Sequence, residues 1–200
     1  MPNWCNNSLT LSHSDPKKMQ IVIDAIKNEK FFETIKPIPP ELRDTIAGSY
    51  GAGTPAQIEL EAQKQACRDQ YGYSDWYEFC TYQWGTKWEA SDLQIITETQ
   101  PEWVGSELVD ASVTVTFDTA WSSPQGIYEE LIEQGYRIDA KYYEPGCGFA
   151  GWFTDDGGDS YFEWESLEHA RDILPAELDE EFNIIENLEM WAEDQDEENE

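Results

Sequence analysis

Two features of exported and membrane proteins are missing from this sequence. No apolar run approaches the roughly 20 residues that a membrane-spanning helix needs. The first residues, Met1-Pro2-Asn3-Trp4, lack the basic and apolar regions of a secretory signal peptide. We therefore expect a cytoplasmic protein that does not bind membranes.

Metal-binding and nucleotide-binding patterns are absent as well. The 200 residues include four cysteines and two histidines, and no two cysteines lie within three residues of each other. Zinc sites built from sequence-local pairs are therefore unsupported. The glycines between 48 and 53 lack the lysine of a phosphate-binding loop. We expect reduced thiols, mostly in the core, and no metal or other cofactor.

Basic residues are scarce, and their scarcity is uneven. The chain has 12 Lys and Arg against 42 Asp and Glu, which gives a formal net charge of −30 at pH 7. Residues 1–68 hold eight acidic and eight basic side chains, whereas residues 69–200 hold 34 acidic and four basic ones. Because binding to nucleic acid depends on cations that replace phosphate counterions, the later part is predicted not to bind nucleic acid directly.

Residues 108–124, LVDASVTVTFDTAWSSP, carry the clearest structural pattern. From 109 to 118, apolar side chains alternate with hydroxyl or acidic ones. A period of two is typical of a strand with one buried and one exposed face. Ser123 is then predicted to cap a helix in which Pro124 takes the first position.

The rest of the chain alternates between strand and helix signals. Strands are predicted at 3–12, 93–99 and 136–143, helices from Asp15-Pro16, Thr54-Pro55, Ser74 and Pro124, and a hairpin at 149–154 and 160–165. Without the central helices the order is strand, helix, strand, strand, helix, strand. This order predicts an α+β fold, a ferredoxin-like antiparallel sheet with two covering helices, a helical insertion and an acidic C-terminal helix.

Two parts of the chain are expected. Residues 1–174 form the ferredoxin-like domain, with the helical insertion at about 43–90, and residues 175–200 form the acidic C-terminal helix and tail. One last helix is predicted to begin after Pro175 and to end near Met190-Trp191. Residues 193–200 are predicted to be a frayed, charged tail.

Four short blocks in one order resemble a known family. They are residues 1–6 (MPNWCN), 84–88 (WGTKW), 119–124 (TAWSSP) and 143–146 (YEPG). Together they resemble the YubB-like family of phage and plasmid proteins with a ferredoxin-like domain. The resemblance implies that fold and a mobile-element origin, and hence location in a host cytoplasm. It implies no catalytic residues, because the family carries no established activity.

The block at 84–88 is a candidate aromatic pocket. Trp84 and Trp88 flank Lys87, which is predicted to hold an anion or to stack on an indole ring. Trp4 and Trp121 line the same pocket if the sheet brings them together. The alternative is a tight turn whose tryptophans pack on the sheet.

None of the candidate nucleophiles and bases stands in a recognisable catalytic motif. His13 and His169 lack a neighbouring nucleophile with an orienting carboxylate. Cys5 and Cys147 are possible nucleophiles, but small core residues are the more common role of such cysteines. We therefore expect no enzymatic activity.

Acidic residues form two groups that indicate a binding surface. The C-terminal helix has rows of carboxylates with no base among them, and an Asp-Asp-Gly-Gly-Asp run precedes the last predicted strand. The spacing of that run departs from the EF-hand pattern, so it predicts a hairpin turn and not a calcium site. The predicted partner-binding residues are Glu180, Glu181, Glu186, Glu189 and Glu193, with Asp155, Asp156 and Asp159 as a second cluster.

Carboxylates displayed in rows can occupy a cationic groove that normally takes nucleic acid. We therefore predict a non-enzymatic DNA or RNA mimic that inhibits a basic, nucleic-acid-binding host defence protein of the restriction or CRISPR type. Three alternatives stay open. They are an acidic surface that serves solubility or an unknown protein contact, a small-ligand or peptide-binding module at 84–88, and an uncharacterised enzyme.

Overall fold

The computed structural model describes residues 3–104 and 107–198, so Met1 and Pro2 of the first block and the last two residues of the predicted tail lie outside the described residues. Its strands are β1 (Trp4–His13), β2 (Ser91–Thr99), β3 (Glu102–Val104), β4 (Glu107–Val109), β5 (Ala111–Ala120), β6 (Arg137–Glu144), β7 (Phe149–Thr154) and β8 (Gly158–Glu163). Its helices are α1 (Pro16–Lys27), α2 (Phe31–Ile35), α3 (Pro40–Arg43), α4 (Pro55–Tyr71), α5 (Trp76–Gln83), α6 (Gln125–Glu133), α7 (Leu167–Ile173), α8 (Ala176–Phe182) and α9 (Ile184–Glu198).

A six-stranded antiparallel sheet organises these elements, in the spatial order β2-β5-β1-β6-β7-β8. The strands β1, β2, β5 and β6, with α1 and α6, follow the predicted chain order of strand, helix, strand, strand, helix, strand. This confirms the α+β class and places β1 between β5 and β6, as in a split βαβ unit. The hairpin of β7 and β8 extends the sheet beyond β6, and β3 and β4 form a separate two-stranded ribbon.

The two faces of the sheet differ in chemistry. In β5, Val113, Val115 and Phe117 are buried in the core that α1, α2 and α6 share with the sheet. The threonines between them lie on the opposite face and are partly exposed. The predicted alternation is confirmed, but β5 begins only at Ala111, because residues 108 and 109 belong to β4.

Two of the four helix starts predicted at Asp15, Thr54, Ser74 and Pro124 follow the sequence signals, and α5 is capped by Asp75 and not by Ser74. The Asp15 carboxylate accepts the backbone N–H of Lys17 at 2.9 Å and caps α1, and Thr54 caps α4 in the same way. The predicted cap of α6 is wrong. Pro124 is the N-cap residue and not the first helical residue, and no side chain caps this helix, because Ser123 lies one position too early.

The inserted helices α2 to α5 lie between α1 and β2 and share the main core. Phe31, Phe32 and Leu42 are fully buried in the same apolar cluster as the helix-facing side of the sheet. The insertion starts with α2, ahead of the boundary predicted near residue 43. These helices thus complete the core on one face of the sheet.

Residues 167–198 form the three helices α7, α8 and α9, of which α8 and α9 lie where the sequence predicted one helix after Pro175. Helix α8 starts directly after Pro175, as predicted, but Asn183 has a φ of 52° and separates α8 from α9. A left-handed residue ends a helix, and asparagine tolerates this conformation. The three helices pack with Tyr143 and Trp164 on the sheet face opposite to α1 and α6. The tail predicted to be frayed is helical to Glu198.

Candidate functional site

All four of the sequence blocks meet at one end of the sheet, where Tyr143 lies opposite Asn6 in the pairing of β6 with β1. Trp4 lies opposite Ala120 where β1 pairs with β5. The Trp121 N–H donates to the Asn3 carbonyl at 3.0 Å. The Thr86 hydroxyl donates to the Ala120 carbonyl at 2.8 Å and so joins the 84–88 segment to both. The fold thus makes neighbours of segments that are far apart in the sequence.

Four aromatic side chains at this end are exposed: Trp4, Tyr77, Trp88 and Trp121. We call these four residues, with Lys87, the aromatic end. The Lys87 Nζ lies 4.4 Å from the ring centre of Trp88 and 5.5 Å from that of Tyr77, which are cation–π distances. Sequence reasoning missed Tyr77 because it comes from α5, outside the 84–88 block.

Trp84 is not part of the aromatic end. It is 3% exposed, its ring packs edge-on against Phe32 with centroids 5.7 Å apart, and its Nε1–H donates to the Lys36 carbonyl at 2.8 Å. The prediction that Trp84 lines a pocket is therefore wrong. Its indole is buried between the inserted helices and the sheet, as the packing alternative requires.

Trp121 stands on a strained turn. Its φ is 73°, a left-handed conformation that is unfavourable for a bulky residue. The Thr119 hydroxyl donates to the Ser122 carbonyl at 2.7 Å, and the Ser122 hydroxyl donates to the Gly85 carbonyl at 2.5 Å. These bonds hold the turn while the indole stays 51% exposed. Strained residues of this kind cluster at binding sites, so the turn belongs to the candidate site.

The predicted acidic row of the C-terminal segment is divided between two helices. Glu181 lies 3.8 Å from the Lys141 Nζ, and Glu189 forms an ion pair with Arg171. The other three predicted glutamates are exposed and form no ion pair within the described residues. The row is made of Glu180 and Glu181 on α8 and Glu186, Glu189 and Glu193 on α9.

The second predicted cluster lies at the turn between β7 and β8, which confirms the predicted hairpin. Asp155 and Asp156 are exposed in this turn. The Asp159 carboxylate instead accepts hydrogen bonds from the Tyr142 hydroxyl at 2.9 Å and from the Gln125 side chain at 2.7 Å. Burial, and then the charge of Asp159, raise the pKa of Tyr142. Asp159, which is exposed as well, is therefore held in place by Tyr142 of β6 and Gln125 of α6.

The acidic residues that are concentrated late in the sequence also lie on neighbouring strands and helices in the structure. Residues 137–193, which we call the acidic side, form β6, β7, β8, α7, α8 and most of α9. The three strands lie beyond β1 in the sheet, and the helices pack on the face opposite to α1 and α6, where the end of α8 also reaches Asn6 of β1 and Thr116 of β5. They hold 16 acidic and three basic side chains. Each of the three bases already pairs with an acid of the same side: Arg137 with Asp155, Lys141 with Glu181 and Arg171 with Glu189.

No cysteine is poised as a thiolate near neutral pH. Cys5, Cys67 and Cys80 are buried as predicted, and burial raises the pKa of Cys80 to about 12. The prediction of a core position is wrong for Cys147, which is exposed in the turn after β6. A hydrogen bond to the Glu144 carboxylate, and then its charge, raise the pKa of Cys147. A raised pKa lowers thiol reactivity.

Thiol labelling checks this arrangement. In the native protein we expect one thiol, that of Cys147, to react with an aromatic disulfide reagent, and all four to react in denaturant. Because its pKa is raised, Cys147 is expected to react more slowly at pH 8 than free cysteine and to accelerate as the pH rises. Glu144→Gln removes the charge and is expected to increase the rate. A second thiol that reacts at the same rate in the native protein would contradict the burial of the other three.

The two histidines have different surroundings, and neither is paired with a carboxylate within residues 3–104 and 107–198. The His13 Nδ1 accepts the Asp15 backbone N–H at 2.7 Å, and its ring packs on Tyr136, so it supports the start of α1. His169 is exposed on α7. Within these ranges, no group of three or more His, Cys, Asp or Glu is arranged to hold a metal ion. No described helix combines the length and the apolar character needed to cross a bilayer.

Comparisons with known proteins give a remote structural likeness. No family model matches the chain, and no curated protein matches it. The fold is similar to the crystal structure of protein api92 from Yersinia pseudotuberculosis, of the family DUF1281, with a TM-score of 0.38 and 12% sequence identity over 83% of this chain and 99% of that one. Membership of the YubB-like family therefore stays a hypothesis based on the sequence blocks.

Proposed function

We propose that the protein is a non-enzymatic binding protein of a phage or plasmid whose acidic side occupies the nucleic-acid cleft of a basic host defence protein, such as a restriction or CRISPR nuclease. The support is the acidic side itself, where 15 exposed or partly exposed acidic side chains and three already paired bases lie on neighbouring elements, while Glu144 is buried. Long-range attraction to such a surface speeds encounter with a cationic cleft. The mobile-element origin rests on the sequence blocks.

Helix α9 offers the most regular spacing of carboxylates on this side. Glu186, Glu189 and Glu193 follow one another at three and four residues, so they lie along one side of the helix. At a rise of about 1.5 Å per residue they extend over roughly 10 Å. Duplex DNA presents about one negative charge per 1.7 Å of axis, so the neighbouring carboxylates of α8 must add to this row.

A displacement assay with labelled duplex DNA tests the proposal. Purified restriction and CRISPR nucleases are bound to the duplex, and the protein is titrated against each complex. For nucleases that release DNA, we expect the triple variant Glu180→Gln, Glu186→Gln, Glu193→Gln to inhibit about tenfold less, because each exposed charge contributes about 0.5 kcal/mol. Higher salt is expected to weaken inhibition by the wild-type chain.

A matched variant shows whether inhibition depends on where the negative charges lie or only on the net charge of the protein. Glu29→Gln, Glu59→Gln, Glu61→Gln removes the same three charges from exposed positions in the balanced part of the chain. Inhibition by this variant is expected to stay within about twofold of wild type, since the changes lie outside the acidic side. Equal weakening by both variants, or release of DNA from no nuclease, would contradict the proposal.

A second candidate function is recognition of a small ligand or peptide at the aromatic end. The observation that favours it is the exposed Trp121 on a strained turn beside Trp4, with Lys87 over the ring of Trp88. Binding there depends on short-range aromatic contacts. Inhibition that is insensitive to salt and lost in Lys87→Ala would favour this function over mimicry.

A further inference from the structure

The two edges of the six-stranded sheet differ in their protection against further strand pairing. At one edge, the register between β2 and β5 shifts twice, and Asp92 has a left-handed φ of 51°. Such irregularities discourage the addition of another strand. At the other edge, β8 pairs with β7 continuously from Gly158 to Glu163, and five of its six residues are exposed. In the described part of the chain, β8 is a regular and open edge.

The backbone of β8 presents hydrogen-bonding groups to the outside. The Trp164 N–H donates to the Gly148 carbonyl at 3.2 Å, which fixes the phase of the antiparallel ladder between β7 and β8. Because bonded and non-bonded pairs alternate along such a ladder, the N–H and C=O groups of Asp159, Tyr161 and Glu163 point away from β7. These three positions can pair with an added strand of about five residues.

The side chains at this edge define the chemistry of its occupant. Residues 155–165 hold five acidic side chains and no basic one. Tyr161 is 52% exposed, and Asp159 and Glu163 lie on the same face of the strand, two residues to either side. Opposite charges and aromatic–apolar pairs stabilise neighbouring strands. The matching strand has an apolar residue opposite Tyr161 and a cation opposite each acid.

A second copy of β8 does not fit this edge. If two copies paired antiparallel about Tyr161, Asp159 of each copy would lie opposite Glu163 of the other. Like charges in directly opposite positions are destabilising. The net charge of −30 adds long-range repulsion between copies.

We propose that β8 accepts a seventh strand from the basic partner, an extended segment with the pattern cation-x-apolar-x-cation. The inference rests on the proposed function, because it takes the basic partner from there and adds the mode of attachment. The added strand exchanges main-chain hydrogen bonds with Asp159, Tyr161 and Glu163 and places its cations against the two carboxylates.

A capped model peptide, Thr-Lys-Thr-Val-Thr-Lys-Thr, probes the edge in the full-length protein. Binding and amide hydrogen exchange are followed by NMR at low salt. We expect the exchange of the Asp159, Tyr161 and Glu163 amides to slow about fivefold or more when the peptide saturates, because outward N–H groups become hydrogen-bonded. The matched peptide with glutamate in place of lysine is expected not to bind.

Two variants at one position isolate the main-chain contribution. Tyr161→Thr removes the ring and keeps the N–H group, whereas Tyr161→Pro removes the outward N–H and leaves the ladder to β7 intact. We expect Tyr161→Pro to bind the lysine peptide about tenfold more weakly than Tyr161→Thr. If the proline variant does not fold, the exchange data on the wild-type chain decide.

Several results would overturn the proposal. Binding of the lysine peptide could slow amide exchange in α8 and α9 alone, or the glutamate peptide could bind equally well. The folded proline and threonine variants could bind the lysine peptide with equal affinity, or the protein could form a homodimer that Tyr161→Pro abolishes. The DNA displacement assay separates this failure from a failure of the proposed function. If the Glu180, Glu186 and Glu193 changes still weaken inhibition while the peptide does not bind, only the mode of attachment is wrong.

Discussion

The variant Gly126→Ala is expected to unfold at a much lower urea concentration than the wild-type chain. A Cβ atom at Gly126 would overlap the backbone carbonyl of Gln83, with the carbonyl carbon 2.8 Å away and the Trp84 carbonyl carbon at 3.3 Å. Main-chain atoms cannot move aside as the end of a flexible side chain can. Trp84 is also buried and tied to the Lys36 carbonyl, so a shift of this segment would disturb the core. We expect a loss of about 3 kcal/mol, measured by urea denaturation.

Gly48→Ala is the matched control for this variant. A Cβ at Gly48 would meet its nearest atom, the Ile46 Cγ2, at 3.5 Å, which is ordinary van der Waals contact. The same added methyl group is expected to change the stability by less than about 0.5 kcal/mol. A loss at Gly126 no larger than that at Gly48 would mean that α6 does not pack tightly against the end of α5.

Local sequence signals were sufficient for the sheet strands and for the helices with strong caps. The alternation along β5 has a period of two because one face is buried, and Asp15-Pro16 marks the start of α1 because the cap and the proline act on the first turn alone. Neither signal depends on the rest of the fold. This is why the α+β class and the order of its elements could be predicted.

The break in the C-terminal helix depends on contacts that a periodic pattern does not show. The Asn183 N–H donates to the Asp179 carbonyl at 2.7 Å, and the Asp179 carboxylate accepts the Ile185 N–H at 2.8 Å. Together they end α8 and cap α9. An asparagine within a helical pattern was the available signal, but the apolar spacing continues through it. The single row of carboxylates was therefore predicted where two helices exist.

The candidate site was predictable in its composition but not in its geometry. The sequence identified Trp4, Lys87, Trp88 and Trp121, but the exposure of a tryptophan depends on which elements cover it, and so Trp84 was wrongly assigned to the pocket. The open edge at β8 had no signal of its own in the sequence. Whether a strand is central or at an edge is set by the spatial order of the sheet, which local periodicity does not determine.

The variant Asn7→Asp is expected to lose about 3 kcal/mol or more of stability at pH 7. Asn7 is 2% exposed, and its amide group donates to the Cys5 carbonyl at 2.8 Å and to the Thr119 hydroxyl at 2.9 Å. The Tyr128 hydroxyl, fully buried, donates to the Asn7 carbonyl oxygen at 3.2 Å. A carboxylate has no donor to offer and would bring an unpaired charge into this site.

The pH dependence of Asn7→Asp follows from the same contacts. Burial without a cation raises the pKa of the new carboxyl in the folded state above its unfolded value of about 3.9. The folded variant then holds a proton that the unfolded chain releases, so stability is lost as the pH rises and is regained as the pH falls. We expect the deficit to shrink steadily from pH 8 to pH 5, a range that stays above the isoelectric point near 4.1.

Asn187→Asp adds the same charge at an exposed position, where the side chain donates to the Phe182 carbonyl at 3.2 Å. In a chain that already carries a net charge of −30, general repulsion is the competing explanation for any loss in Asn7→Asp. Repulsion would destabilise both variants, and salt would weaken it. The loss of buried hydrogen-bond donors destabilises only Asn7→Asp, and salt does not weaken that effect. Urea denaturation of the two variants at low and high salt is therefore expected to leave Asn187→Asp within about 0.5 kcal/mol of wild type, while Asn7→Asp keeps its deficit. Equal losses that disappear in salt would show that the network around Asn7 contributes little and that repulsion dominates the response of this protein to added charge.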